Sequence, residues 1–121
     1  MIDFERFANG EATLLCIRFS GRLSSEQFKV AFPQLESEFG SHLQLFVLFD
    51  LLAFTGWEPG SGWNRLKFDS RHATDVRKVG VVGETEWRGW IRKACRPLAC
   101  PVRLFGSRER AMEWLSPRPR V

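Results

Sequence analysis

Apolar residues recur along this chain with two different periods, and the alternation between the periods predicts its architecture. Thr13-Leu14-Leu15-Cys16-Ile17-Arg18-Phe19 is rich in strand-forming residues and stops at Ser20-Gly21, a turn signal. Phe4-Glu5-Arg6-Phe7-Ala8 precedes it across Asn9-Gly10, a dipeptide that favours a tight hairpin, so the chain is expected to open with two paired strands. Then the period changes. Ser24-Ser25-Glu26-Gln27 has the form of a capping box, and Phe28, Phe32, Leu35 and Phe39 follow at helical spacing until Gly40. Pro33 predicts a kink in that helix, or the junction of two shorter segments.

Leu45-Phe46-Val47-Leu48-Phe49 is apolar at every position, as in a strand covered on both faces. Phe54 to Gly62 reads as a glycine-rich loop, after which a second helix is expected from Ser61 or Gly62, carrying Trp63, Leu66, Phe68 and Ala73. Val79-Gly80-Val81-Val82 is a further buried strand. Thr85 is placed to cap a third helix, with Glu86 at its positive end and Trp87, Trp90, Ile91, Ala94 and Leu98 along one face. Val102-Arg103-Leu104-Phe105 is the last strand. Ser107 caps a last helix bearing Ala111, Met112, Trp114 and Leu115, which Pro117 and Pro119 end.

The order β-β-α-β-α-β-α-β-α predicts an α/β fold, a mixed and mostly parallel sheet with right-handed crossovers and about four helices on its two faces. The opening hairpin adds an antiparallel edge. A length of 121 residues suits one domain spanning 1–121, with a short basic, proline-containing tail at 116–121.

Composition sharpens this in three ways. Eleven Phe and five Trp without any Tyr give aromatic bulk without hydroxyls, which suits packing or an apolar ligand better than acid–base chemistry. No apolar run approaches the roughly 18 to 20 residues that cross a bilayer, and the first residues lack the parts of a signal peptide, so a cytoplasmic protein is expected. Charge is divided: residues 1–60 have a net charge of −4 and residues 61–121 a net charge of +8. The basic half suits phosphates on nucleic acid or lipid heads, against the plainer alternative of an unevenly charged solvated surface.

Chemistry-bearing motifs are few. Cys16, Cys95 and Cys100 form no C-x-x-C pair; Cys16 is expected as a buried small hydrophobe and the other two as free thiols. His42 and His72 are not in metal-ligand spacing, so no metal is expected. Gly80-Val81-Val82-Gly83 reads as a strand-to-helix turn rather than a phosphate loop. Asp50 ends an apolar strand and reads first as a carboxylate that hydrogen-bonds the next loop. With no nucleophile and base that fall together, no enzyme and no cofactor are expected. Trp57 and Trp63 around Gly56, Gly60 and Gly62, with Phe54 and Phe68 near, suggest a movable apolar pocket; the alternative is that they simply cap the sheet. Arg88, Arg92 and Arg96 form a row at steps of four.

Taken as a set, Phe54-Thr55-Gly56-Trp57, the run Trp63 to Phe68, Val79-Gly80-Val81-Val82-Gly83 with Trp87, and Val102-Arg103-Leu104-Phe105 through Ala111 and Trp114-Leu115 resemble the small bacterial SpoIIAA-like proteins of the STAS type. The resemblance runs from about Thr13 to Leu115. It implies a mixed sheet flanked by helices, similar in shape to lipid-carrying CRAL-TRIO domains, and association with apolar ligands or membranes through the middle helices. Phe54, Trp57, Trp63, Leu66, Phe68, Trp87, Trp90 and Ile91 are the expected ligand-binding residues, and Arg88, Arg92 and Arg96 the expected contacts to anionic head groups. One departure stands out. The anti-sigma-factor antagonists that share this fold carry a phosphorylatable serine in an aspartate-serine motif, whereas here Ser61 lies in Trp57-Glu58-Pro59-Gly60-Ser61-Gly62 and reads first as a helix cap.

Two functions follow as expectations. One is a domain that binds an apolar or lipid-like ligand, or sits peripherally at the inner membrane face. The other is a protein-interaction module in an antagonist-like switch, or a homodimer packing its aromatic helices. Nucleic acid is disfavoured, because the basic row is short and the aromatics do not alternate with it.

Overall fold

The computed structural model describes residues 1–9, 12–40, 44–68 and 76–116. Five strands, β1 (Ile2–Asn9), β2 (Ala12–Leu23), β3 (Gln44–Trp57), β4 (Val76–Val82) and β5 (Val102–Phe105), form one sheet in the order β1-β2-β3-β4-β5. β1 and β2 pair antiparallel, with Asn9 opposite Ala12, and every other neighbouring pair is parallel. The fold is the expected mixed, mostly parallel α/β architecture, with three α-helices among the described residues where about four were expected. The turn at Gly10 lies outside the described residues.

A strand order that advances without reversal has a consequence for the helices. Right-handed crossovers between successive parallel neighbours all pass over the same face of the sheet. Accordingly α1 (Ser25–Gly40), the 3-10 turn Trp63–Arg65 and α2 (Thr85–Ala94) pack with Leu15, Ile17, Phe19, Val47, Phe49, Val79 and Val81 on one face. Among the described residues only α3 (Arg108–Leu115), which follows the last strand, reaches the other face, where Ala111 and Leu115 meet Leu14, Cys16, Leu48 and Val82. Odd and even residues of β2 and β3 thus serve two separate cores. Because the order never reverses, the sheet also lacks the switch-point crevice in which open α/β sheets commonly bind ligands.

The capping box forms reciprocally: Gln27 N donates to Ser24 Oγ (3.2 Å) and Ser24 N to Gln27 Oε1 (2.8 Å). α1 then runs unbroken through Pro33. Pro33 and Lys29, whose carbonyl loses its partner, are both exposed, so water meets the orphaned group.

Three expectations need correction. β2 does not stop at Ser20-Gly21, nor does β3 end before Phe54; they pair on to Leu23 and Trp57, through two register shifts. At the first, three steps from Asp50 to Ala53 oppose two from Arg18 to Ser20, and the Leu52 N–H donates to Asp50 Oδ1 at 3.0 Å. Second, the helix expected from Ser61 or Gly62 is a single 3-10 turn over the described residues, because Gly60 and Gly62 hold positive φ and Leu66 is extended. Ala73 lies outside them. Third, Thr85 is the first residue of α2, not its cap, and its Oγ1 accepts from Arg88 Nη2 at 2.8 Å. Ser107 does cap α3, accepting from Arg110 N at 3.3 Å.

Candidate functional site

Five of the expected ligand-binding residues, Phe54, Trp57, Trp63, Trp87 and Trp90, come together and meet one another, whereas Phe68 packs apart from them against Phe39 and Phe49. Phe54 stacks on Trp90 with centroids 5.2 Å apart, Trp57 lies 4.9 Å from Trp90 and 5.4 Å from Trp87, and Phe54 meets the edge of Trp87 at 5.0 Å. Trp63 is fully buried, 4.9 Å from Phe28 and 5.9 Å from Phe19. Such tilted and edge-on pairs stabilise beyond plain burial. Leu66, Phe68 and Ile91 are also buried, Phe68 stacking on Phe39 at 4.6 Å.

Both inner indole N–H groups are satisfied internally. Trp63 Nε1 donates to Ser24 O (2.8 Å), and Trp90 Nε1 donates to Trp63 O (2.6 Å). These two bonds tie the 3-10 turn to the residue that precedes α1 and to α2. Only Trp57 and Trp87 remain half-buried, at the rim. Gly56 lets them meet: its φ is +118°, and a Cβ there would lie 3.3 Å from Trp87 Cη2. The acids near this rim, Glu58, Glu84 and Glu86, are exposed.

Ser61 is buried, and its Oγ has no hydrogen-bond partner. It is not a helix cap. Gly62, in the left-handed region, starts the 3-10 turn without a side-chain cap.

The arginine row ends differently from its spacing. Pro97 has no N–H and cannot continue the helix, so α2 stops at Ala94 and the chain enters a 3-10 turn, Arg96–Leu98. Arg88 is partly buried against Thr85, while Arg92 and Arg96 are exposed. The C-terminal end of α2 is bordered by two hollows. The larger, about 810 Å3, has Arg92, Lys93 and Arg96 on its wall with Cys95 and Cys100; the smaller, about 340 Å3, has Arg65, Lys67 and Lys93 around Trp90. Lys93 borders both, and among the described residues neither wall contains a carboxylate. Among the described residues, none of these five cations has an ion pair or a side-chain hydrogen bond. Spacing alone missed Arg65, Lys67 and Lys93, although their clustering in the basic half was visible.

Several cations elsewhere are engaged. Arg108 Nη1 donates to Asp50 Oδ2 at 2.8 Å, Arg18 Nε lies 3.5 Å from the same oxygen, and Arg6 pairs with Glu38. Asp50 is therefore a buried anchor: it holds the start of α3 to β3 and accepts the amide released at the bulge.

All three cysteines are free thiols. Burial pushes the Cys95 thiol well above its ordinary value, and Cys100 adds to the shift; burial also raises Cys16 and Cys100. Among the described residues no group of His, Cys, Asp and Glu is arranged to hold a metal ion, and no helix is long and apolar enough to cross a membrane. His42 and His72 lie outside the described residues.

A five-stranded mixed sheet with its crossovers on one face defines the class, and the family follows. The family described as SpoIIAA-like matches residues 14–116, and the chain belongs to it. An uncharacterized protein of the DUF3478 family with a SpoIIAA-like fold, from Shewanella loihica PV-4, has a similar crystal structure. Its TM-score is 0.68 at 22% identity, over 94% of this chain and 93% of that one. No curated protein matches the chain.

Proposed function

We propose that this domain is a non-catalytic binding module that docks reversibly on anionic membrane surfaces through the basic end of α2. The observation that carries the reading is the group Arg65, Lys67, Arg92, Lys93 and Arg96, which among the described residues has neither an internal partner nor an acid on the walls it shares. The aromatic cluster contributes less to docking than its abundance suggests. Its rings fill the space between them, and exposed Glu58, Glu84 and Glu86 beside Trp57 and Trp87 oppose insertion into an anionic layer.

Magnitudes set the character of the binding. Each Lys or Arg near an anionic leaflet contributes about 1 kcal/mol, so five give roughly 5 kcal/mol, a dissociation constant in the submillimolar range. Such docking is weak, reversible and screened by salt. Co-sedimentation with phosphatidylglycerol-containing vesicles tests it. Binding should appear at low ionic strength, fade at high salt and be absent with phosphatidylcholine alone; equal binding to both vesicle types contradicts the reading.

A further inference from the structure

From the larger hollow beside α2 we infer a recognition site for a small ligand bearing two or more phosphate groups. The inference rests on the same cations as the membrane reading and narrows what they recognise.

Two independent features support it. The first is charge: Arg92, Lys93 and Arg96 border one concavity of about 810 Å3, within the usual size range of small-molecule sites, and among the described residues no carboxylate shares the wall. Guanidinium groups present paired donors that match phosphate oxygens, and an ammonium adds a mobile point charge. Elsewhere the chain gives buried Asp50 two arginines and joins Arg6 to Glu38, whereas here three cations gather around one hollow without a partner among the described residues.

The second feature is Gly89, one helical turn before Lys93 and on the same wall. Glycine inside a helix lowers helix stability relative to alanine. Here packing gives no reason for it, because a Cβ at Gly89 would meet nothing within 4 Å. A missing side chain at the wall of a basic hollow leaves the backbone open to close approach by a ligand. The rival role for Arg92 and Lys93 is to complement the C-terminal end of the α2 dipole. That role explains neither Gly89 nor the hollow.

Inorganic tripolyphosphate is the probe, with Cys100, half-buried in the wall, as a local reporter. Calorimetry should show saturable binding by the wild-type chain, weakened tenfold or more by Arg92→Gln with Arg96→Gln. Gly89→Ala should bind several-fold more weakly while melting at a higher temperature. Saturating tripolyphosphate should slow alkylation of Cys100 in the wild type and not in the double variant. No saturable binding, binding unchanged by the double substitution, or an unprotected Cys100 overturns the inference. The membrane reading is judged separately: vesicle binding without tripolyphosphate binding overturns the inference alone, whereas tripolyphosphate binding without vesicle binding supports it and removes the membrane reading.

Discussion

The two ends of α2, about 15 Å apart by the rise of ten helical residues, use their side chains in opposite ways. At the first end Trp87 and Trp90 turn towards the sheet, and with Trp57, Trp63 and Phe54 they close the core over the ends of β2 and β3. At the other end Arg92, Lys93 and Arg96 face outward and meet no partner among the described residues. The conspicuous residues of the sequence are the satisfied ones. The unsatisfied ones are ordinary surface types that become notable only when the fold collects them around a hollow.

That contrast can be broken by substitution, and the largest effect should come from the aromatic end. Trp63→Ala or Trp90→Ala should cost about 3–5 kcal/mol in denaturant unfolding, since each removes a buried indole and a hydrogen bond that ties elements together. Arg108→Ala, which strips the closest cation from buried Asp50, should cost about 3 kcal/mol, with Asp50→Asn rescuing part of the loss in a double-mutant cycle. Gly83→Ala should cost about 1–3 kcal/mol, because its Cβ would lie 2.7 Å from Leu51 Cβ at a φ of +150°. In contrast, Arg92→Gln and Arg96→Gln should each change stability by less than about 0.5 kcal/mol while weakening binding to anionic vesicles.

A pH series sharpens the contrast from beneath the basic hollow. The folded state holds the Cys95 proton more tightly than the unfolded chain, whose thiol titrates near 9.0. The stabilisation is therefore fully present below pH 9.0 and lost as pH climbs from there towards the raised folded value. The slope from this one group is about 1.4 kcal/mol per pH unit. Cys95→Ala should flatten that slope in chemical denaturation curves.

Much of the fold was legible because it rests on local rules. The Ser24–Gln27 box and the Ser107 cap are each written within a few residues and formed as their patterns indicate. The α2 apolar stripe formed from Trp87 to Ala94, while Leu98 falls in the 3-10 turn beyond it and Thr85 is not the cap. The lengths of β2 and β3 were not legible. They depend on a bulge whose released amide is caught by Asp50, a tertiary arrangement with no sequence period. Trp63, Leu66 and Phe68 keep helical spacing, yet Gly60 and Gly62 at positive φ end regular structure after one 3-10 turn. The site was half legible. Arg88, Arg92 and Arg96 form an obvious row, but Pro97 bends Arg96 off it, and Arg65 and Lys67 join only because the Trp63 turn docks beside Trp90.

The most direct test compares the two ends of α2 in one assay, co-sedimentation with phosphatidylglycerol-containing vesicles at low salt. The basic variant combines Arg92→Gln, Lys93→Gln and Arg96→Gln, and the aromatic variant is Trp87→Leu. Loss of binding in the first with near wild-type binding in the second is the predicted result. Wild-type binding by the basic variant together with loss in Trp87→Leu would contradict the account and return the working surface to the aromatic end.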